Sequence, residues 1–395
     1  MKQRVLLIVR KLNIGGIQRN TVNLANVLHR EGHEVHVLVL KGELELVPDA
    51  GVHLHQVDFD KAFRKTGIGL FYDLFTRLLL APWIKGSGYV WRGYYGGHYL
   101  RRFVARLEKE HGPIDRVITR GQGAFETFWS WRDPRLWQVA VSWPGDLKEG
   151  WQQRFLLSRL YSGKQVVCNT DNVRQQLEHL LDHHGIKAAR LATIGNVCDL
   201  DAIAAMAEEE VELPSRPYVV QVCRLSDVKR QDVLIKAYLA SGIEEDLVIV
   251  GDGPKREATE ALICELGVGD RVHLIGSRLN PYPWMKHARL FVLSSRSEAF
   301  GIVLVESMCC GTPCVAPDVP GGIRNVLIHD QARLISEDSI EALAAKIREG
   351  LANPPALDSD PELIERFRDT RIMQEFLSLP TDAVTEVVPG IRTRR

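Results

Sequence analysis

Twice along the chain a β-branched run, a loop, an apolar-periodic helix and another apolar run follow one another, and this rhythm restricts the fold more than any other feature. The first round is RVLLIV (4–9), the loop KLNIGGIQRN, the helical pattern TVNLANVLHREG closed by Gly32, and EVHVLVL (34–40). Strands joined through helices demand a parallel sheet with right-handed crossovers, whose ligands sit at the carboxyl ends of the strands. RVITR (116–120), WQVAVS (137–142) and KQVVCNT (164–170) continue the first round as short buried strands, so residues 1–198 are expected to form one α/β domain. The acidic, Ala-rich stretch DLDAIAAMAEEEVELPSRP (199–217) then ends in a Pro-Ser-Arg-Pro segment and reads as an interdomain connector. At YVVQVC (218–223) the rhythm restarts and runs through DLVIVG, RVHLIG, RLFVLSS and CVAP, which predicts a second doubly wound domain over 218–355. Residues 356–395 are expected to be closing helices and a tail that return toward the first domain.

A length of 395 residues is too great for one ordinary core and agrees with two domains. Lys plus Arg and Asp plus Glu stand at 50 each, which removes any global pull toward nucleic acid, and no nucleic-acid fold pattern is present. The seven cysteines contain no Cys-x-x-Cys pair, so they read as small core residues rather than disulfides or a zinc site, in a reducing cytoplasm. The opening MKQRVLLIVRKL has too short an apolar run for a signal peptide or a membrane span.

Candidate site residues cluster in the second half. RLFVLSS should be a central strand and GIVLVESMCC a helix stopped by Gly311 and Pro313, which places the loop SRSEAF at a strand's carboxyl end against a helix N-terminus. Such a position suits a phosphate. Glu298 in that loop and Glu306 in the helix are poor neighbours for a phosphate but good acceptors for hydroxyl donors, so together they suit the two ends of a nucleotide sugar. Arg224 and Lys229, on the loop after YVVQVC, can neutralise a diphosphate without a divalent metal, and no metal or other cofactor is expected. Gly251-Asp252-Gly253 and Gly321-Gly322 add glycine loops to the same domain.

The run VCRLSDVKRQDVLIKAY followed by VGDGPKREATEALICELGVGDRVHLIGSRLNPYPWMKHARLFVLSSRSEAFGIVLVESMCCGTPCVAPDVPGG closely resembles the retaining nucleotide-sugar glycosyltransferases of family 4, dense over 218–326 and looser through RVLLIV, NIGGIQRN and GHEVHVLVL. The resemblance implies the GT-B fold, two doubly wound Rossmann-like α/β domains facing across a cleft; closure of that cleft by hinge motion through the 199–217 connector is a further expectation. It implies that Arg224 and Lys229 hold the donor diphosphate, Glu306 the ribose hydroxyls and Glu298 the transferred sugar. Phe300, Gly301 and Ile302 would offer backbone contacts, GSRLN (276–280) would line the base pocket, and Gly15 and Gly16 would match the family's N-terminal glycine loop. Glu298, Lys229 and Arg224 are the expected catalytic group, the leaving diphosphate itself helping to deprotonate the acceptor. Uridine is the expected base and guanosine the alternative.

Cys223 and Ala299 stand where the family has Gly, and Ser307 where it has Ala; Ala299 matters if its position requires positive φ. The stretch VSWPGD lacks the family's His, leaving Trp143 and Asp146 as acceptor-side candidates. Residues 61–106 carry nine Lys or Arg against the single acid Asp73, among many aromatics. This pattern suits either an anionic membrane surface, at the inner face of the cytoplasmic membrane, or aromatics packed inside and charges facing water. The first reading goes with a lipopolysaccharide or lipid-linked glycan acceptor. Two other functions fit the same architecture: a nucleotide-sugar epimerase, and a catalytically degenerate membrane-associated partner protein.

Overall fold

The computed structural model describes residues 2–13, 15–42, 44–76, 78, 87–140, 151–357 and 360–382. They fall into two compact units. The first takes in the chain up to Cys168, Gln176–Thr193 and the stretch from Gln374; the second takes in Asn169–Gln175 and Ile194–Met373.

Each unit is built on one parallel sheet. In the first, β1 (Arg4–Val9), β2 (Glu34–Val39), β3 (His53–Gln56), β4 (Arg116–Arg120), β5 (Leu136–Ala140), β6 (Gln165–Cys168) and β7 (Arg190–Thr193) lie in the order β3-β2-β1-β4-β5-β6-β7. In the second, β8 (Tyr218–Val222), β9 (Asp246–Val250), β10 (Val272–Gly276), β11 (Leu290–Val292), β12 (Cys314–Pro317) and β13 (Ile335–Ser336) lie in the order β10-β9-β8-β11-β12-β13. Every residue of β4, β5, β9 and β11 is buried, as a strand covered by helices on both faces requires. The helix Gly16–Arg30 buries Leu24, Val27 and Leu28, a three-to-four spacing that turns one stripe to the sheet. Ser339 caps the helix Ile340–Ala352, its Oγ accepting from the Ala342 N–H at 3.1 Å.

Three strands lie outside the expected set. β3 (HLHQ) and β7 (RLAT) are partly exposed edges without an apolar run, and β13 is two residues long. The 199–217 segment is not a free connector. Its helix Leu200–Met206, capped by Asp199, buries Leu200 and Ile203 with Tyr282, Met285 and Met308 inside the second unit. The change of unit falls at 193/194 rather than 198. Of the final expected segment, 356–373 stays in the second unit and 374–382 joins the first. There the carbonyls of Leu377 and Leu379 accept from the Arg116 guanidinium and that of Pro380 from Trp137 Nε1 at 2.9 Å.

All seven cysteines are unpaired thiols. Burial pushes the thiols of Cys309 and Cys314 up to about 11 and about 12, so both pack as neutral small side chains. Among the described residues no helix is long and apolar enough to cross a membrane.

Candidate functional site

In each sheet the strand order reverses once, between β1 and β4 in the first unit and between β8 and β11 in the second. Loops leaving the carboxyl ends of the two strands diverge there and open a crevice for a ligand. In the second unit those loops are 223–230 and 293–301, and they carry Arg224, Lys229 and Glu298.

Lys229 and Glu298 meet: Lys229 Nζ is ion-paired with Glu298 Oε1, and Ser295 Oγ donates to the same oxygen at 2.6 Å. Their side chains are only 22% and 12% exposed, so the pair is poorly screened by water. Three further contacts lock the two loops together, and a fourth ties the second loop to Gln221 of β8. Ser294 Oγ donates to the Lys229 carbonyl at 2.7 Å and receives Gln221 Nε2 at 2.8 Å, Arg230 Nε donates to the Ser294 carbonyl at 2.8 Å, and the Arg296 N–H donates to the Val228 carbonyl at 2.7 Å. Arg230 itself is left-handed, with φ 48°, a conformation that costs a side-chain-bearing residue about 1–2 kcal/mol. Its guanidinium, which also pairs with Asp338, holds it there.

Glycines let the surrounding loops approach. Gly251 has φ 145°, and a Cβ on it would lie 1.8 Å from the Cys223 carbonyl oxygen; one on Gly321, at φ 127°, would lie 1.7 Å from that of Glu298. Glu298 and Gly321 form an isolated parallel bridge, with Gly322 N–H donating to the Glu298 carbonyl at 2.7 Å. Gly301, at φ 81°, precedes the helix Ile302–Cys309. Ala299 is outside the positive-φ set, so its departure from glycine is free of backbone strain. Phe300 is 4% exposed and packs edge-on against Phe367 at 5.5 Å, a core role for its ring. Partly buried Glu306, on that helix, accepts from Tyr282 OH at 3.3 Å. Arg224 is exposed and makes no hydrogen bond or ion pair among the described residues. In the GSRLN segment, Arg278 lies over the Trp284 ring at 5.7 Å and Asn280 Nδ2 donates to the Met206 carbonyl at 2.7 Å.

In the first unit Gly15 and Gly16 open the helix Gly16–Arg30, after β1 at its sheet's own reversal point. Gly15 is extended, at φ 173°, which any residue adopts. A Cβ on Gly16 would meet nothing within 4 Å, and one on Gly15 would meet only the mobile end of the Gln18 side chain, its Oε1 at 2.6 Å. Neither glycine is therefore required by the chain's own packing. A polar cavity of about 90 Å³ nearby is lined by Arg10, Lys41, Asp60, Arg92, Gly123 and Glu126. Trp143 and Asp146 lie outside the described residues.

The residues that the motifs did not single out are Ser294, Ser295, Gln221, Arg230 and Tyr282. Ser294-Ser295 had a signal, two hydroxyls ending an apolar strand; the others are placed only by tertiary contact.

A family model for glycosyl transferases group 1 matches residues 204–369, and one for Glycosyltransferase Family 4 matches residues 14–202. The N-acetylgalactosamine-N,N'-diacetylbacillosaminyl-diphospho-undecaprenol 4-alpha-N-acetylgalactosaminyltransferase of Campylobacter jejuni is 32% identical over 184 residues, 47% of this chain and 50% of that protein. The lipopolysaccharide core biosynthesis glycosyltransferase LpsD of Rhizobium meliloti is 24% identical over 377 residues, 92% of this chain and 94% of that one. The chain spans about half the length of the first curated relatives it matches. Among solved structures, a glycosyltransferase from Rickettsia africae superposes with a TM-score of 0.68 at 17% identity, covering 95% of this chain and 97% of its own. Anabaena Alr3699/HepE in complex with UDP and glucose gives 0.64 at 18%, covering 95% and 98%. These structural likenesses concern the fold. With both halves matched by glycosyltransferase models and each half built on its own doubly wound parallel sheet, the chain belongs to the glycosyltransferases of family 4, with the GT-B fold.

Proposed function

We propose that the chain moves a sugar, with retention of anomeric configuration, from a nucleotide-diphosphate donor to a cell-envelope glycan acceptor, such as lipopolysaccharide or a lipid-linked saccharide. A UDP-sugar is the donor of first choice; a hexose or N-acetylhexosamine is the group moved. The observation that carries this reading is the contact of Lys229 with Glu298 across the reversal point of the second sheet, with exposed Arg224 on the same loop as Lys229. The UDP and glucose bound by the Anabaena protein, and the diphospho-undecaprenol and lipopolysaccharide in the names of the two relatives, support donor and acceptor class.

On donor binding Lys229 exchanges Glu298 for a diphosphate oxygen and Arg224 takes another. The first N–H groups of the helix Ile302–Cys309, which have no partner within a helix, add a partial positive charge, so the leaving group is neutralised without a metal. Glu298, released, accepts from hydroxyls of the sugar. Glu306, steadied by Tyr282, accepts from the ribose hydroxyls. The bond from the anomeric carbon to the diphosphate breaks with its electron pair going to the phosphate oxygen. The acceptor oxygen bonds the same face of that carbon and its proton passes to the leaving oxygen. Catalysis then rests on preorganised charge around the diphosphate and on orientation. In the first unit, Gly15 and Gly16 are donor-side candidates, Trp143 and Asp146 remain the acceptor-side candidates, and the cavity lined by Arg10, Lys41 and Arg92 is added to them. Thermal stabilisation by a panel of nucleotide diphosphates and their sugars, followed by the anomeric configuration of the product by NMR, tests the reading. No stabilisation by any nucleotide diphosphate, or an inverted product, sinks it.

We also propose that residues 61–106 rest on an anionic membrane, at the inner face of the cytoplasmic membrane. Phe63 is buried against Tyr95, but Phe71 is 70% and Leu78 74% exposed, and Leu70, Leu74, Trp91 and Tyr94 are each half exposed or more. The single acid Asp73 is 6% exposed and spent on Arg64 and Arg92, at 3.1 and 2.5 Å. An apolar, aromatic surface with its only acid turned inward suits a bilayer interface. Absence of binding to anionic vesicles at low salt refutes it.

A further inference from the structure

The outer edge of the first sheet holds a cluster that sugar transfer does not use. β2 and β3 are parallel, with His36 opposite His53 in register, and the twofold alternation of a strand sends Glu34 and His36, and His53 and His55, to one face. The helix Ser87–His111 brings its last residue, His111, to the same face. The ring centre of His36 lies 4.7 Å from that of His53 and 4.8 Å from that of His111, and those of His53 and His111 are 5.3 Å apart. One oxygen is the common point: Glu34 Oε1 is 3.3 Å from His36 Nε2 and 3.7 Å from His111 Nδ1. Arg4, opposite Glu34 in register, grips both carboxylate oxygens at 2.8 Å and fixes their direction.

Such crowding is costly for imidazoles alone, since buried His36 and half-buried His55 and His111 each present a donor or lone pair that a sheet edge does not otherwise need to bury. It suits a metal. One donor atom from each of Glu34, His36, His53 and His111 can be chosen so that all four lie within 4.8 Å of one another. A tetrahedral Zn²⁺ with bonds of about 2.0–2.1 Å holds its ligands about 3.3 Å apart. The Glu34–His36 edge already has that length. The remaining contraction falls on His53, exposed on the edge strand, and His111, at a helix end. His36 also has the outer contact that metal-bound histidines need: its Nδ1 lies 3.1 Å from His55 Nε2, leaving Nε2 for the ion.

We propose that Glu34, His36, His53 and His111 bind one divalent metal of borderline softness, Zn²⁺ above all, which fastens the last turn of the helix Ser87–His111 to the outer strands. The site sits at the amino-terminal half of β2, away from the loops that follow the carboxyl ends, so its role is structural. The sequence reading weighed metal only at the cysteines and expected none.

The test uses the full chain without a polyhistidine tag, demetallated and titrated with Zn²⁺ by calorimetry, and with Co²⁺, whose visible absorption reports tetrahedral coordination. One equivalent should bind with a rise in thermal midpoint, and Co²⁺ should give a tetrahedral spectrum. His53→Ala and His111→Ala, chosen because buried His36 is needed for packing, should each weaken Zn²⁺ at least tenfold with the metal-free midpoint unchanged. His55→Ala should weaken it about tenfold through His36. Absence of saturable binding at one equivalent, or equal affinity in the His53→Ala,His111→Ala double variant, overturns the proposal. So does loss of binding on replacing His183 and His184, the other adjacent ring pair.

Discussion

Replacing either member of the Lys229–Glu298 pair should slow turnover severely, yet the two replacements should move nucleotide affinity in opposite directions. In the resting site Lys229 is held by Glu298, so a diphosphate gains the ammonium only by displacing a carboxylate. Lys229→Met removes a charge-assisted contact worth about 1.5–3 kcal/mol. At about 1.4 kcal/mol per tenfold, UDP binding should weaken by roughly ten- to a hundredfold. Glu298→Gln keeps the shape and removes the competing charge. The displaced pair, only 22% and 12% exposed, lies at or above the upper end of the surface range, about 1 kcal/mol, so UDP alone should bind about fivefold more tightly or better. Both variants should lose about a hundredfold or more in kcat, the size of one preorganised contact. Calorimetric titration with UDP, which lacks the sugar that Glu298 would grip, isolates the exchange from chemistry. Glu298→Gln weakening UDP as much as Lys229→Met does would refute the exchange, and near-normal turnover in both would refute the catalytic assignment.

Gly321→Ala should abolish nucleotide binding and cost more than about 3 kcal/mol, because its Cβ would lie 1.7 Å from the Glu298 carbonyl oxygen at a φ that only glycine adopts cheaply; a thermal midpoint within a degree of the parent contradicts this. Ala299→Gly, the change toward the family pattern, should destabilise by about 0.5–1 kcal/mol, since no left-handed strain is there to relieve; a raised midpoint would show otherwise. Lys164 is buried beside Arg132, and burial lowers its ammonium to about 7 against an ordinary 10.5. The unfolded chain therefore binds the extra proton between about pH 7 and 10.5, so stability rises with pH across that window and the full penalty applies below it. Lys164→Met should raise stability at pH 6 by about 2 kcal/mol, less than the roughly 5 kcal/mol equivalent of the shift because the Trp131 carbonyl loses its donor, and should flatten the alkaline slope; denaturation midpoints at pH 6 and 9 decide it.

The doubly wound fold was legible because the central strands are continuous β-branched runs; RVLLIV and DLVIVG announce burial on both faces. HLHQ announces nothing, since an edge strand is held by its neighbour's backbone and here carries imidazoles in place of an apolar face. The 199–217 segment looked like a linker from its acids and prolines, while its stability comes from Leu200 and Ile203, packed against residues some eighty positions later. Arg224, Lys229 and Glu298 stand on loops that follow strands, where chemistry concentrates, and that placement was readable from the apolar runs before them. That Lys229 and Glu298 hold one another, and that Arg230 adopts a strained turn beneath them, depends on side-chain meetings across roughly seventy residues, which no local pattern encodes. Ala299, where the family has Gly, needs no positive φ, whereas Gly301 and Gly321 take it up.

The carbonyls of Leu377, Leu379 and Pro380 accept the hydrogen bonds of Arg116 and Trp137 inside the first unit. A ribosome delivers these groups only after everything in the second unit has been made. Arg116 and Trp137 must therefore wait, uncapped, through the synthesis of more than two hundred further residues, and the amino-terminal half cannot be finished as an independent piece. Severing the chain before Gln374 would strand a buried guanidinium in the half that was left intact.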